Sequence, residues 1–177
     1  VRNEKQVLKR CCRDKDIRQI IAAKAPPIVE GTEPLAHRPI VVGTGPAGLL
    51  AALTLARHGY RPLVLERGQD VDTRSRHVEE FWQGGVFRPD SNVQFGEGGA
   101  GTFSDGKLTT RVNHPLIGPI MDEFVAAGAP KEIRYAYNPH VGTDLLRRVV
   151  KNMRCQIEAL GGEVRFGSCV TSIDRTG

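Results

Sequence analysis

No stretch of this sequence is long and apolar enough to cross a bilayer, and its first residues lack the apolar core of a secretory signal peptide. We therefore expect a cytoplasmic protein without a membrane partner. Only four cysteines are present, none of them in Cys-x-x-Cys, and no Cys/His cluster has the spacing of a metal site. This pattern argues against a metal and against disulfide redox chemistry, and it predicts buried or idle thiols.

Positive charge exceeds negative charge, but it is not concentrated in one tract. The net charge is +5, and basic residues such as Arg147, Arg148, Lys151 and Arg154 are distributed along a helical pattern. We interpret them as a solvated helix face, so nucleic acid is not the expected partner. A phosphate-rich cofactor or an anionic substrate would also suit this sign of charge.

Composition divides the chain near residue 38. Pro26-Pro27 and the glycine and proline that follow predict a linker, so residues 1–37 are expected to be the tail of another unit, with a short β-like run over 17–21. Residues 38–177 are expected to form the main domain, because a chain of 177 residues suffices for one domain of ordinary size. The absence of an initiating Met and the stop after a strand pattern predict a fragment, truncated at its C-terminus.

The stretch from Pro39 to Glu66 predicts a strand, a tight turn, a helix and a second, parallel strand. Its turn contains Gly-x-Gly-x-x-Gly, in which each glycine has a separate task. Gly43 permits the exit from the strand, Gly45 lets the backbone approach a pyrophosphate, and Gly48 lets the helix pack closely on the sheet. The helix would direct its N-terminal amides at the phosphates.

Glu66 ends the second strand, where a carboxylate accepts hydrogen bonds from the ribose 2′- and 3′-hydroxyls. A carboxylate also repels a 2′-phosphate, which disfavours NADP, although the neighbouring Arg67 weakens that argument. The combined pattern predicts an α/β domain of Rossmann type that binds a dinucleotide; a simple packing turn is the alternative.

A second glycine-rich stretch, from Phe95 to Thr109, favours FAD over NAD as the cofactor. A simple NAD-binding unit has no use for it, whereas a larger extended cofactor needs backbone amides along its whole length. A loop without function is the alternative interpretation.

Three motifs together resemble the FAD-dependent dehydrogenases, which are NAD(P)-FAD-dependent oxidoreductases of bacteria that are poorly characterised. The motifs are Gly43-Thr-Gly-Pro-Ala-Gly, Leu65-Glu-Arg-Gly and Gly98-Gly-Ala-Gly-Thr-Phe-Ser-Asp-Gly-Lys-Leu, and His140-Val-Gly-Thr-Asp and Gly162-Glu-Val-Arg-Phe are also similar. The resemblance covers residues 38–177, and residues 1–37 resemble the end of the family's small N-terminal domain with its linker. It implies a flavoprotein oxidoreductase in which FAD carries hydride or electrons, with NAD(P)H or an organic compound as the donor.

The same resemblance implies which residues meet FAD. They are Gly43, Gly45, Pro46, Ala47 and Gly48 at the pyrophosphate, Glu66 with its neighbour Arg67 at the adenosine ribose, Gly99, Ala100, Gly101, Thr102 and Lys107 towards the ribityl and isoalloxazine groups, and Val170 at the adenine. We hypothesise that Lys107 stabilises the reduced anionic flavin; a solvated loop lysine is the alternative. No catalytic residue is predicted; His114 and His140 are candidate acid–base groups, because imidazole titrates near neutral pH, but a structural role is the favoured interpretation.

Three other functions stay open at this point. They are an NAD-dependent dehydrogenase, a flavoprotein acting on transfer RNA, and a nucleotide-binding module without turnover. The substrate is expected to be a small molecule that these residues do not identify. The isolated chain is expected to be inactive and to bind FAD weakly.

The remaining patterns predict further elements. Helices are expected over residues 4–12, 70–83, 116–127 and 143–160, the last with Thr143 as its N-cap, and residues 84–115 are expected to form a long loop. Two short strands are predicted over 163–166 and 168–173.

Overall fold

The first glycine motif folds as a strand, helix and parallel strand, as predicted. The computed structural model describes residues 3–14, 27–29, 31–108, 110, 112, 114–136 and 138–174. Strand β1 (Ile40–Val42) leads through the turn into helix α2 (Pro46–Arg57), which returns the chain to strand β2 (Leu63–Leu65). Pro46 is the first helical residue, where the missing amide proton costs nothing because that amide has no intrahelical partner.

A third strand, β3 (Glu163–Arg165), completes a parallel sheet with the order β1-β2-β3. Val64 in the central strand pairs in register with Val41 on one side and with Val164 on the other. The chain is therefore an α/β structure with a small parallel sheet and flanking helices, which confirms the predicted fold class.

One face of this sheet carries the hydrophobic core. Helix α2 packs there beside the long helix α5 (Thr143–Ala159). The core contains Leu49, Leu53 and Ala56 from α2, Val64 from β2, and Val149, Met153 and Ile157 from α5. On the opposite face, Ile40 and Val42 remain exposed in the described part of the chain.

The chain contains further helical elements. They are helix α1 (Glu4–Arg10), helix α3 (Val71–Trp82) with Asp70 as its N-cap, a 3₁₀ helix (Ala100–Phe103), helix α4 (Ile117–Ala126) and a second 3₁₀ helix (Lys131–Arg134). The predicted run over 17–21 lies outside the described residues. Within the described ranges, no helix combines the length and apolar character needed to cross a membrane.

Two local predictions were wrong. Thr143 is the first residue of α5, and the N-cap is Gly142, which adopts a φ of +79°. The Gly142 amide lies so close to Gly106 that a Cβ on Gly106 would be 2.6 Å from it, so this close backbone packing fixes where the helix begins.

The second error concerns residues 168–173, which form no strand. The amides of Gly167 and Ser168 donate to the carbonyls of Gly68 and Glu66, at 2.9 and 2.8 Å. The chain therefore crosses beside the end of β2 and does not extend the ladder of β3. This crossing brings residues 168–170 to the end of the sheet.

Candidate functional site

A groove of about 270 Å³ opens at the end of β1 and β2. Four segments line it: the turn after β1, the residues that follow β2, residues 94–99, and residues 168–170. Six of the predicted cofactor-binding residues are brought together here, namely Gly43, Gly45, Glu66, Arg67, Gly99 and Val170. Open parallel sheets bind their ligands at this position, outside the carboxyl ends of the strands.

The three glycines of the turn have distinct environments. Gly43 has a φ of +90°, which side chains rarely tolerate, and a Cβ on Gly48 would lie 2.0 Å from the carbonyl oxygen of Gly43. A Cβ on Gly45 would meet no atom within 4 Å, although Gly45 lines the groove and caps α2. Gly43 and Gly48 therefore serve the turn and its packing, whereas Gly45 leaves space in front of the amides that begin α2.

Glu66 is held in one orientation by the protein. Its Oε2 accepts hydrogen bonds from the amide and the hydroxyl of Thr44, both at 2.7 Å, and its Oε1 accepts from the Gly68 amide at 2.9 Å. The residue is only 5% exposed, yet it lines the groove. A carboxylate has about four acceptor sites, so three internal bonds leave capacity for one donor from a ligand.

Arg67, beside Glu66, is engaged by protein groups. Its Nε and Nη2 donate to Asp90 Oδ1 at 3.1 and 2.7 Å, and its guanidinium carbon lies 4.3 Å from the centroid of the Phe95 ring. The hydrogen bond with Asp90 raises the pKa of Arg67. Arg67 therefore contributes to the groove as half of an ion pair stacked on an aromatic ring.

The loop that forms one wall of the groove is organised around a buried arginine. Arg74 is fully buried, and it donates to four backbone carbonyls of the loop. The acceptors are Asn92 at 2.8 Å, Gly96 at 3.2 Å, Glu97 at 2.7 Å and Gly99 at 2.9 Å. Its guanidinium also lies 4.7 Å from the centroid of Phe103. Residues 92–99 have no helix or strand of their own, and Arg74 binds four of their carbonyls at once.

A second buried charge fixes the same loop to helix α5. Glu97 accepts from the Val71 amide and from Arg154 Nε, both at 2.7 Å, and burial raises its pKa despite these donors. Arg154 is only 15% exposed, so its assignment to a solvated helix face was wrong. The neighbouring Gly98 amide donates to the Thr44 carbonyl at 2.9 Å, which joins the loop to the first turn.

The other predicted residues lie outside the groove. Lys107 is exposed and pairs with Asp105 at 2.7 Å, which raises the pKa of Lys107. Together with Pro46 and Gly101 it lines a second, more apolar cavity of about 160 Å³. Ala47 and Ala100 are exposed, Gly48 packs against Gly43, and Thr102 is buried beneath the loop.

Histidines and cysteines form no recognisable reactive centre in the described residues. His114 Nδ1 accepts from the Leu116 amide, and residue His140 forms a β-bridge with Lys107. All four cysteines are free thiols; three are exposed and Cys11 is half-buried, so of the two predicted states, buried or idle, burial does not occur. No group of three or more potential metal ligands occurs in the part of the chain that the structure describes.

Sequence reasoning missed Arg74, Glu97 and Asp90. A signal for Arg74 was present, because Val71, Arg74 and Val78 share one buried face of α3, and a charged residue on an apolar stripe needs buried partners. No local pattern identified Asp90, whose partner Arg67 is distant along the chain.

Comparison with known proteins agrees with this geometry. A family model described as an NAD(P)-binding Rossmann-like domain matches residues 41–96, which include the turn, Glu66 and the start of the loop. The fold is thus that of a Rossmann-like α/β domain, and residues 41–96 are similar to the NAD(P)-binding family that this model describes.

Three relatives are similar to this chain. An uncharacterised Clostridium beijerinckii protein is 55% identical over 97% of this chain and 32% of its own length. A Rhodococcus erythropolis protein, provisionally named a 2-heptyl-3-hydroxy-4(1H)-quinolone synthase, is 27% identical over 77% of this chain and 33% of its own. A vinyl phenol reductase of Lactiplantibacillus plantarum is 44% identical over 31% of this chain and 10% of its own. The chain thus spans at most a third of these relatives.

The buried position of Arg74 predicts a large effect on stability. Replacing Arg74 with methionine leaves four loop carbonyls without their donor, so we expect the free energy of unfolding to fall by about 2–4 kcal/mol. Arg76→Met is the matched control, because Arg76 lies on the exposed side of α3 and donates to Thr73 within the same helix, at 3.2 Å. Urea denaturation of both variants measures the difference. Equal stability of the two variants would contradict the role given to Arg74.

Proposed function

We propose that this chain is the FAD-binding part of a flavin-dependent oxidoreductase, and that its groove holds the adenosine and pyrophosphate portion of the cofactor. The observation that carries the proposal is the convergence of Gly45, Glu66 and residues 94–99 on one groove at the strand ends. A dinucleotide needs a close backbone approach for its phosphates and an acceptor for its ribose, and these residues supply both.

The second glycine-rich stretch supports FAD over NAD. A Cβ on Gly99 would lie 3.4 Å from Gly45 Cα, so the stretch begins directly beside the pyrophosphate turn. From there it continues through the 3₁₀ helix to Lys107, along the second cavity. An extended cofactor that passes from the groove along this stretch would contact backbone over its whole length, as the longer FAD molecule requires.

In this proposal the chain binds and orients, and bound FAD supplies the hydride or electron transfer. The amides at the start of α2 stabilise the pyrophosphate, because they are unpaired donors at the positive end of the helix. Glu66 accepts a ribose hydroxyl at its remaining acceptor site. Residues 168–170 close the groove on the side where the adenine would lie, with Val170 offering its backbone.

The names of two relatives support redox chemistry for the longer protein. One is named a reductase, and it matches this chain over a limited region; the other is named provisionally as a synthase of a hydroxyquinolone. An NAD-dependent dehydrogenase remains the second candidate, because the matching family model describes NAD(P) binding.

Titration with the two cofactors distinguishes these candidates. We expect FAD to bind the purified chain, with quenching of flavin fluorescence, and NAD to bind much more weakly. The affinity for FAD is expected to be weaker than micromolar, since the described residues offer walls for only part of the cofactor. Binding of NAD without binding of FAD would favour the dehydrogenase. Submicromolar affinity for FAD would contradict the expected weakness.

Two glycine variants separate binding from folding. Gly45→Ala adds a Cβ where no atom lies within 4 Å, so we expect unchanged stability but at least about a tenfold loss of FAD affinity, as the methyl group occupies the space of the pyrophosphate. Gly48→Ala places a Cβ 2.0 Å from the Gly43 carbonyl, so it should destabilise the fold itself. Thermal denaturation and fluorescence titration measure both quantities. Undiminished FAD binding by a folded Gly45→Ala protein would contradict the placement of the pyrophosphate.

Cys169 provides a reporter at the adenine end. It is exposed and lines the groove, whereas Cys155 is exposed on α5 and is absent from the groove lining. Saturating ADP or FAD should therefore slow alkylation of Cys169 and leave the rate at Cys155 unchanged. Mass spectrometry after timed treatment with iodoacetamide measures both rates in one sample. Equal rates at Cys169 with and without nucleotide would argue against adenine binding beside it.

A further inference from the structure

The proposed site contains two charged residues of opposite sign at the position of the ribose. Glu66 and Arg67 are adjacent at the end of β2, and both line the groove. In dinucleotide-binding domains a carboxylate at this place suits a free 2′-hydroxyl, whereas an arginine suits a 2′-phosphate. The availability of Arg67 to a phosphate therefore determines whether the groove accepts adenosine with a 2′-phosphate or only adenosine with a free 2′-hydroxyl.

Arg67 forms a solvent-exposed ion pair with Asp90 of the same chain. Two of its three guanidinium nitrogens donate to the same oxygen of Asp90, at 2.7 and 3.1 Å. The flat face of the group lies 4.3 Å from the centroid of Phe95. A phosphate would have to compete with Asp90 for these donors, and it would meet the charges of both Glu66 and Asp90.

Asp90 itself is held in place by a structured turn. The buried Asn92 donates through Nδ2 to the carbonyls of Arg88 and Pro89, both at 2.9 Å. The carbonyl of Asp90 also packs so closely on Gly68 that a Cβ there would lie 2.6 Å from it. Since the backbone of Asp90 is fixed against the end of β2, its carboxylate is already positioned next to Arg67, and less conformational entropy is lost when the ion pair forms.

We propose that Asp90 is a specificity-determining residue, which pairs with Arg67 and thereby restricts the groove to adenosine with an unphosphorylated ribose. The inference rests on the proposed function, because it assumes that adenosine occupies this groove. Asp90 then acts through charge: with Glu66 and Arg67 it gives the ribose position a net negative charge. The pair favours FAD and NAD, and it selects against NADP.

The test compares two small probes, ADP and 2′,5′-ADP, by isothermal titration calorimetry. The wild-type chain should bind ADP and should bind 2′,5′-ADP at least about tenfold more weakly. Asp90→Asn keeps the size of the side chain and removes its charge, so it should strengthen 2′,5′-ADP binding about tenfold and change ADP binding little. Adding Arg67→Gln to this variant should abolish the gain, because the released guanidinium is what binds the phosphate.

Asp72→Asn is the matched control. Asp72 forms a comparable exposed ion pair, with Lys151 Nζ at 2.6 Å, but Lys151 does not line the groove, whereas Arg67, the partner of Asp90, does. Asp72→Asn should leave both affinities unchanged. The ratio of the two affinities is taken within each variant, so a general loss of folded protein does not alter it.

The outcomes separate this inference from the proposed function. If the wild-type chain binds neither ADP nor FAD, the nucleotide site and the inference are both wrong. If it binds ADP, but the affinity ratio is the same in wild type and Asp90→Asn, the site stands and the role of Asp90 is overturned. A wild-type preference for 2′,5′-ADP would overturn it equally.

Discussion

The candidate site depends on one buried cation. Burial lowers the pKa of Arg74 to about 10, which still leaves the guanidinium charged at neutral pH. That charge has no carboxylate bonded to it in the described residues; it is stabilised by carbonyls of residues 92–99 and by the ring of Phe103. A loop without helix or strand has few hydrogen bonds of its own, and here the arginine supplies the donors that its inward carbonyls need.

From Arg74 a continuous polar network reaches the proposed ribose position. The loop is connected to α5 through Glu97 and Arg154, and to the first turn through the bond from the Gly98 amide to the Thr44 carbonyl. Thr44 in turn donates twice to Glu66. Because buried polar groups are costly when unpaired, such a network tolerates few arrangements. The polar groups that line the groove are therefore preorganised before a ligand binds.

Sequence patterns predicted the strand, helix and strand around Gly43 and Glu66 because these elements follow from local periodicity and turn chemistry. The sequence-based predictions were wrong where contacts with residues distant along the chain determine the local structure or the burial of a side chain. Residues 168–173 have the composition of a strand, but the Ser168 amide donates to the Glu66 carbonyl just after β2, so the chain does not extend the ladder of β3. Arg154 lies at a helical position where a solvent-exposed side chain is expected, yet it pairs with the buried Glu97, which is distant in sequence. Six of the predicted cofactor-binding residues line one groove. The charged residues Arg74, Glu97 and Asp90, which hold the neighbouring loop, were not predicted.

The second glycine-rich stretch is rich in glycine for two separate reasons. A Cβ on Gly96 would lie 2.5 Å from Cδ of Arg74, and one on Gly98 would lie 2.1 Å from the Thr102 hydroxyl, so these two glycines serve interior packing. Gly99 instead faces Gly45 across the edge of the groove. The stretch thus has an inner side that receives Arg74 and an outer side available to a cofactor. The same backbone performs both tasks, so a change at the buried arginine is expected to be transmitted to the outer side.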